Sequence, residues 1–233
     1  MPYYRYYFDP TYILVLIGVL LSLGASAKVK STFARYSRVH SRSGLTGAQA
    51  AERILHNAGI YDVRIEHIAG NLTDHYDPRT KVLRLSDSVY GSGSVASVGV
   101  AAHEVGHAIQ HAKGYAPLMF RNAIVPVVNF GSTISWPLIL IGLLLRGQTL
   151  ISLGILLFSL VVLFQLVTLP VEFNASRRAL VQLEQGNLLA RDEINQSRKV
   201  LIAAALTYVA AAAGSILQLL RLIILFGGRR DDD

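Results

Sequence analysis

Four long apolar blocks constrain the fold of this chain more tightly than any other feature. They occupy residues 11–27, 124–145, 150–171 and 200–226, and each approaches or exceeds the roughly 20 residues an α-helix needs to cross the hydrocarbon core of a bilayer. No water is available there to satisfy exposed backbone groups, so the blocks must be helical. With 52% of its 233 residues hydrophobic, 16% charged and a mean hydropathy of +0.41, the chain is too apolar for an ordinary soluble domain. The first block is short, but Thr11 and the tyrosines before it suit the membrane interface. Only Arg146 to Thr149 separates the second block from the third, which predicts a tight helical hairpin. The fourth is longer than a span requires. Its Ala-rich start, Leu201 to Ala213, is expected to project from the membrane before entering it.

Charge supplies an orientation. Lys28, Lys30, Arg35, Arg38 and Arg42 follow the first block, whereas a single Arg and five aromatics precede it, the reverse of a secretory signal. The block therefore reads as an uncleaved anchor. Basic flanks stay on the cytoplasmic side. That places the chain from Lys28 to about Asn122 inside, together with residues 172–199, which carry Arg177, Arg178, Arg191, Arg198 and Lys199. Both termini are then outside, the last residues from Gly227 forming a short polar tail. The formal charge of +7 sits largely in the inward segments beside anionic headgroups and calls for no nucleic acid. With no cysteine, any metal must be held by His and carboxylate.

Between the first two spans the pattern changes to that of a packed domain. Thr46-Gly47-Ala48-Gln49 fits a capping box, and Ala50, Ala51, Ile54, Leu55 and Ala58 give the following helix an apolar stripe ending at Gly59. Alternation over residues 63–68 and again over 81–86 predicts two strands, with a turn at Asp77-Pro78-Arg79-Thr80 leading into the second. We expect a small antiparallel sheet. It either offers an edge to an extended peptide or only covers the helix that follows, predicted over Ser94 to Lys113 with Gly114 beyond its end.

That helix contains His103-Glu104-Val105-Gly106-His107. Residues i and i+4 lie one turn apart, so both imidazoles can reach one zinc ion. Glu104, rotated about 100° from His103, is free to take a proton from an attacking water and return it to a leaving amine. This is the HExxH pattern of zinc hydrolases. His111 continues the series but lies about 12 Å along the axis from His103, beyond the reach of bonds near 2 Å. The metzincin pattern also fails, since Gln110 and Lys113 stand where it has Gly and His. The third ligand must come from elsewhere. Glu172, at the inner end of the third span, is the best-placed carboxylate; on position alone it is either a ligand or a span-end group solvated or paired with Arg.

A resemblance bears on that choice. HExxH, a transmembrane hairpin and then Glu-x-x-Ala-x-x-x-Ala opening a helix is similar to membrane gluzincins of the HtpX and prenyl-protein endopeptidase type. The segments Tyr6-Tyr7-Phe8-Asp9-Pro10, Lys28 to Phe33, Leu72 to Pro78, Ala102 to Gln110 and Leu169 to Ser176 resemble the YugP-like membrane neutral zinc metallopeptidases over essentially the whole chain. The resemblance implies His103, His107 and Glu172 as ligands of one Zn²⁺ per chain, with Glu104 as the catalytic residue. In the HtpX-type pattern an Asp bracing a zinc histidine stands where this chain has Ser176, so Asn174 and Ser176 become the groups to inspect.

The expected architecture is mainly α, a single membrane-embedded domain over residues 1–233 with catalytic segments 28–123 and 172–199. The expected function is a zinc endopeptidase of the bacterial cell membrane with its site facing the cytoplasm. Its partners would be the bilayer and peptide, unfolded or membrane-protein substrates, with a regulatory membrane partner left open. The alternative is a catalytically weak or inactive scaffold or adaptor that binds polypeptide in the same groove; a transporter is disfavoured by four spans without paired intramembrane charges. Asp74, His75, Tyr76 and Asp77 read as turn-shaping residues rather than a second metal site. His75, Tyr208, Arg177 and Arg178 are candidates to stabilise an oxyanion. His40, His56 and His67 read as surface or packing residues. Arg221, charged inside the fourth block, reads as snorkelling to the outer interface.

Overall fold

A computed structural model describes residues 9–227; the aromatic start before Asp9 and the polar tail after Gly227 lie outside the described residues. The chain forms helices α1 (Tyr12–Tyr36), α2 (Gly47–Asn57), α3 (Val95–Ala112), α4 (Ala116–Leu144), α5 (Gln148–Gln185) and α6 (Arg191–Phe226), and strands β1 (Arg64–Ile68), β2 (His75–Asp77) and β3 (Val82–Ser86). Helices α1, α4, α5 and α6 are long and apolar enough to cross a membrane. Each runs past its apolar block. Lys and Arg are good helix formers, so the helix does not stop where the hydrophobic stretch does. In particular no helix opens at Glu172: α5 continues through Pro170, whose ring removes one backbone donor without ending the helix.

The chain divides into two compact units. One comprises residues 9–24, 124–166 and 209–227. Here α4 and α5 form the expected hairpin, and small residues set its spacing: a Cβ added at Gly154 would lie 2.8 Å from the Ser135 carbonyl. Buried Ile139, Phe158, Val162 and Leu222 form its core. Arg221 has partners that the sequence reading did not supply. Its guanidinium reaches Asp9 at 3.1 Å and Thr11 at 3.2 Å and lies 4.3 Å from the Tyr12 ring centroid, so the charge in the fourth block is paired with the residues that lead into α1.

The second unit comprises residues 25–123 and 167–208. Helix α2 has the expected capping box, with the Gln49 amide 3.3 Å from the Thr46 hydroxyl and the Gln49 side chain returning to the Thr46 backbone. Helix α3 begins one residue after the expected start, because Ser94 caps it: its hydroxyl accepts from the Ser97 amide at 3.1 Å, a contact of about 1 kcal/mol. It ends before Gly114, which takes the left-handed φ of +58°.

The antiparallel sheet expected from the sequence is corrected to a mixed one of order β1-β3-β2. Strand β1 pairs with β3 in parallel and β2 with β3 antiparallel. The Asp77 turn joins β2 to β3, not β1 to β3, and the connection from β1 is long enough to cross over and let the two longer strands run the same way. Asp77 accepts from Arg79 N at 2.9 Å and from the Thr80 hydroxyl at 2.6 Å, holding the turn. The apolar faces of α2 (Ile54, Leu55), β3 (Leu83, Leu85) and α3 (Val98, Val105) close on Leu183 and Leu188 in one core. Each such side chain contributes about 1.5–3 kcal/mol by leaving water.

Candidate active site

The second unit alone assembles the site, because α3 and α5 pack where Gly106 leaves no side chain. A Cβ there would lie 2.5 Å from the Ala175 carbonyl oxygen, so the glycine inside the motif permits a close approach of the two helices. This contact places Glu172, one turn before Ala175, opposite His103 and His107. Glu172 Oε2 lies 3.3 Å from His103 Nε2 and 3.6 Å from His107 Nε2. Donors sharing one tetrahedral zinc at about 2.0–2.1 Å stand about 3.3 Å apart. Among the described residues these three side chains are the one group close enough to hold an ion, all ligating atoms lying within 4.8 Å of one another.

Hydrogen bonding shows which atoms are free. Gln110, fully buried, donates its amide to the Val171 carbonyl at 2.8 Å and to Asn174 Oδ1 at 3.0 Å, which turns its own Oε1 toward His107 Nδ1 at 3.0 Å. An amide oxygen only accepts, so His107 carries its proton on Nδ1 and presents the Nε2 lone pair to the site. His103 Nδ1 meets the Ser176 hydroxyl at 3.1 Å, leaving its Nε2 likewise directed inward. Arg121 holds Glu172 Oε1 at 3.3 Å, while Oε2 is buried without a hydrogen-bond partner. A buried carboxylate oxygen in that state is costly. Two imidazole nitrogens and a carboxylate oxygen without a hydrogen-bond partner converging on one point are what a divalent cation requires, and the donor set of two nitrogens and one oxygen suits zinc.

Glu104 is buried, 8% exposed, and outside this donor set. Burial pushes its carboxyl up to about 7, with His103 opposing the shift and Glu172 reinforcing it. It borders two cavities. One of about 180 Å³ is lined by Asp74, His75, His107, Arg121, Glu172 and Tyr208. The other, of about 210 Å³, is mostly apolar, with Val29, Phe33, Val100 and Leu201 among its walls and His103, Glu104 and Tyr208 at its polar end.

The sequence-derived candidates sort cleanly. Glu172 is both things position allowed: it joins the histidines and is paired with an Arg. His111 stays out, 2.9 Å from the Tyr76 hydroxyl. Asp74 accepts from Ser86 N and Oγ at 2.7 and 3.0 Å, which ties the start of β2 to the end of β3 rather than shaping the turn, and it lines both cavities beside Glu104. Of the oxyanion candidates, His75 and Tyr208 line the cavity; Arg178 is committed to Asn174 at 2.7 Å, and Arg177 is exposed. His40, His56 and His67 are exposed. Ser176 and Asn174 both serve the histidines, the first directly and the second through Gln110. Two residues were missed. Gln110 was legible as a polar side chain three positions after His107 on the same helical face; Arg121 gave no sequence signal.

The comparisons with known proteins agree with this geometry. A model of the family described as "putative neutral zinc metallopeptidase" matches residues 11–227. The chain belongs to this family. A relative, the "putative membrane protease YugP" of Bacillus subtilis (strain 168), is 51% identical over 223 residues, covering 95% of this chain and 99% of its own. No solved structure matches. Family and spans together make this a membrane protein of the neutral zinc metallopeptidase family, for which zinc is the implied metal.

Proposed function

We propose that this protein is an integral-membrane zinc endopeptidase of the gluzincin type, with His103, His107 and Glu172 as ligands of one zinc ion and Glu104 as general base and acid. The observation that carries the proposal is the convergence of the two Nε2 atoms with the unpartnered Glu172 Oε2, 3.3 and 3.6 Å away, beside a buried carboxylate outside that group. Zinc, when bound, supplies Lewis acidity that activates water and polarises a carbonyl. Glu104 takes the proton of the attacking water and passes it to the leaving amine. Arg121 keeps Oε1 of Glu172 occupied so that Oε2 faces the histidines. Tyr208, which borders both cavities, donates to the developing oxyanion.

Substrate lies extended along β2, whose outer edge is unpaired among the described residues and whose residues His75 and Tyr76 border the polar cavity. An apolar side chain next to the scissile bond fills the cavity walled by Val29, Phe33 and Val100. The basic residues that follow the first apolar block, from Lys28 to Arg42, and those around residues 177–199 orient the site toward the cytoplasm. Substrates are therefore peptides or unfolded segments at the inner membrane surface.

Glu104→Gln tests the reading. The full-length variant should keep about one zinc per chain, measured by metal analysis, and lose cleavage of casein or a peptide library. Wild-type cleavage by the variant overturns the mechanism; a zinc-loaded wild type that binds but never cuts these substrates favours the scaffold instead.

A further inference from the structure

Helices α1 and α6 each turn two different faces to two different spaces. Val29 and Phe33 of α1, with Leu201 and Tyr208 of α6, face the cavity at Glu104. On another face of the same pair, Lys28, Thr32 and Arg35 of α1 and Lys199, Ile202 and Leu206 of α6 line a separate groove of about 250 Å³. The spacing i, i+4, i+7 on α1 and i, i+3, i+7 on α6 keeps each set on one side of its helix.

Three observations define what this groove fits. First, it is cationic and uncompensated: no acidic residue lines it, and Lys28, Arg35 and Lys199 have no ion pair among the described residues. The nearest acids in sequence on α6 are already spent, Asp192 on the Arg42 guanidinium at 2.7 Å and Glu193 on the backbone N–H groups of Arg42 and Ala190, both at 2.8 Å. Second, the other wall is apolar and open, with Ile202 55% and Leu206 42% exposed. Third, the groove sits where α1 leaves its apolar stretch at Lys28 and α6 enters its own after Lys199. Lys28 to Arg35 rises about 10 Å, enough to cross the roughly 5–8 Å of headgroup and interfacial region on one side of a bilayer.

A free phosphate would use the cations and leave the apolar wall in water; a zwitterionic lipid would use the wall and bring no net charge to three unpaired cations. We propose that this groove binds an anionic phospholipid, its headgroup phosphate held by Lys28, Arg35, Lys199 and the Thr32 hydroxyl, with an acyl chain laid along Ile202 and Leu206. The site is separate from the metal centre and does not depend on the proposed hydrolysis.

The test is retention of phosphatidylglycerol by the purified full-length protein, measured by native mass spectrometry from micelles holding equal amounts of phosphatidylglycerol and phosphatidylcholine. Wild type should retain phosphatidylglycerol in preference. Lys28→Gln and Arg35→Gln should each lower retention about fivefold, and Lys28→Gln/Arg35→Gln/Lys199→Gln about 100-fold, as expected for basic groups at a lipid headgroup. Lys30→Gln/Arg38→Gln, which removes two cations outside the groove, should leave retention unchanged, and Leu206→Asn should lower it with all charges kept. Excess inorganic phosphate should not displace the lipid. Equal loss in the Lys30/Arg38 and groove variants, wild-type retention by the single groove variants, or displacement by phosphate would each overturn the proposal. Zinc content and peptide cleavage do not enter the readout, so failure of the lipid site is distinct from failure of the peptidase reading.

Discussion

Gly106→Ala is the sharpest test of how the fold builds the metal centre. In a free helix the change is favourable by about 1 kcal/mol, because alanine has the highest helix propensity and glycine one of the lowest. Here the new Cβ would lie 2.5 Å from the Ala175 oxygen and 3.1 Å from its Cα and carbonyl carbon. To reach an ordinary contact of 3.4 Å, α3 and α5 must part by about 0.9 Å, and the atoms in the way are backbone that no rotamer can move. Metal–ligand distances tolerate only about 0.2 Å, and overpacking of this kind costs about 1–3 kcal/mol. Helices that have parted must be drawn back together to hold the ion, so up to that cost falls on the metal site: zinc affinity should fall by up to about 150-fold, read by competition with a chelator, together with a lowered Tm. Gly99→Ala is the internal control on the same helix. Its Cβ would meet the Ser197 hydroxyl at 2.3 Å and the Ser197 Cβ at 3.3 Å, contacts with α6 rather than with the α5 segment that carries Glu172, so zinc affinity should hold. Wild-type zinc affinity and Tm in Gly106→Ala would refute the argument that this contact sets the ligand geometry.

Glu172→Ala should weaken zinc binding by orders of magnitude, whereas His111→Ala, which loses only the contact with Tyr76, should leave it nearly unchanged; metal titration of both variants decides between them. Gln110→Ala should lower zinc affinity about 10–100-fold, the range for a partner that orients a ligating histidine, while His107 itself remains; unchanged affinity would remove Gln110 from the site. For orientation, the cysteine-free chain allows single cysteines at exposed Asn71 and Thr149. A membrane-impermeant thiol reagent applied to intact cells should label Thr149→Cys and spare Asn71→Cys, and the opposite pattern would turn the site outward.

Much of this protein follows from residue patterns that act locally. Four apolar blocks determine four helices because a backbone in hydrocarbon has no other way to satisfy its own polar groups. The spacing of His103 and His107 puts two imidazoles on one face of α3, and Thr46, Ser94 and Gly114 mark helix ends through bonds to their nearest neighbours. What sequence left open depended on which distant segments meet. The parallel pairing of β1 with β3 comes from a crossover that alternation of side chains does not encode. Arg121 acquires its role only because α4 passes beside Glu172, 51 positions away, and Asn174 reaches His107 only by way of Gln110. Position left Glu172 with two readings, and only the contact of Gly106 with Ala175 brings its carboxylate to the histidines. Local propensity and periodicity are written every few residues, whereas a site made from α3, α4, α5 and α6 exists only once their side chains have packed.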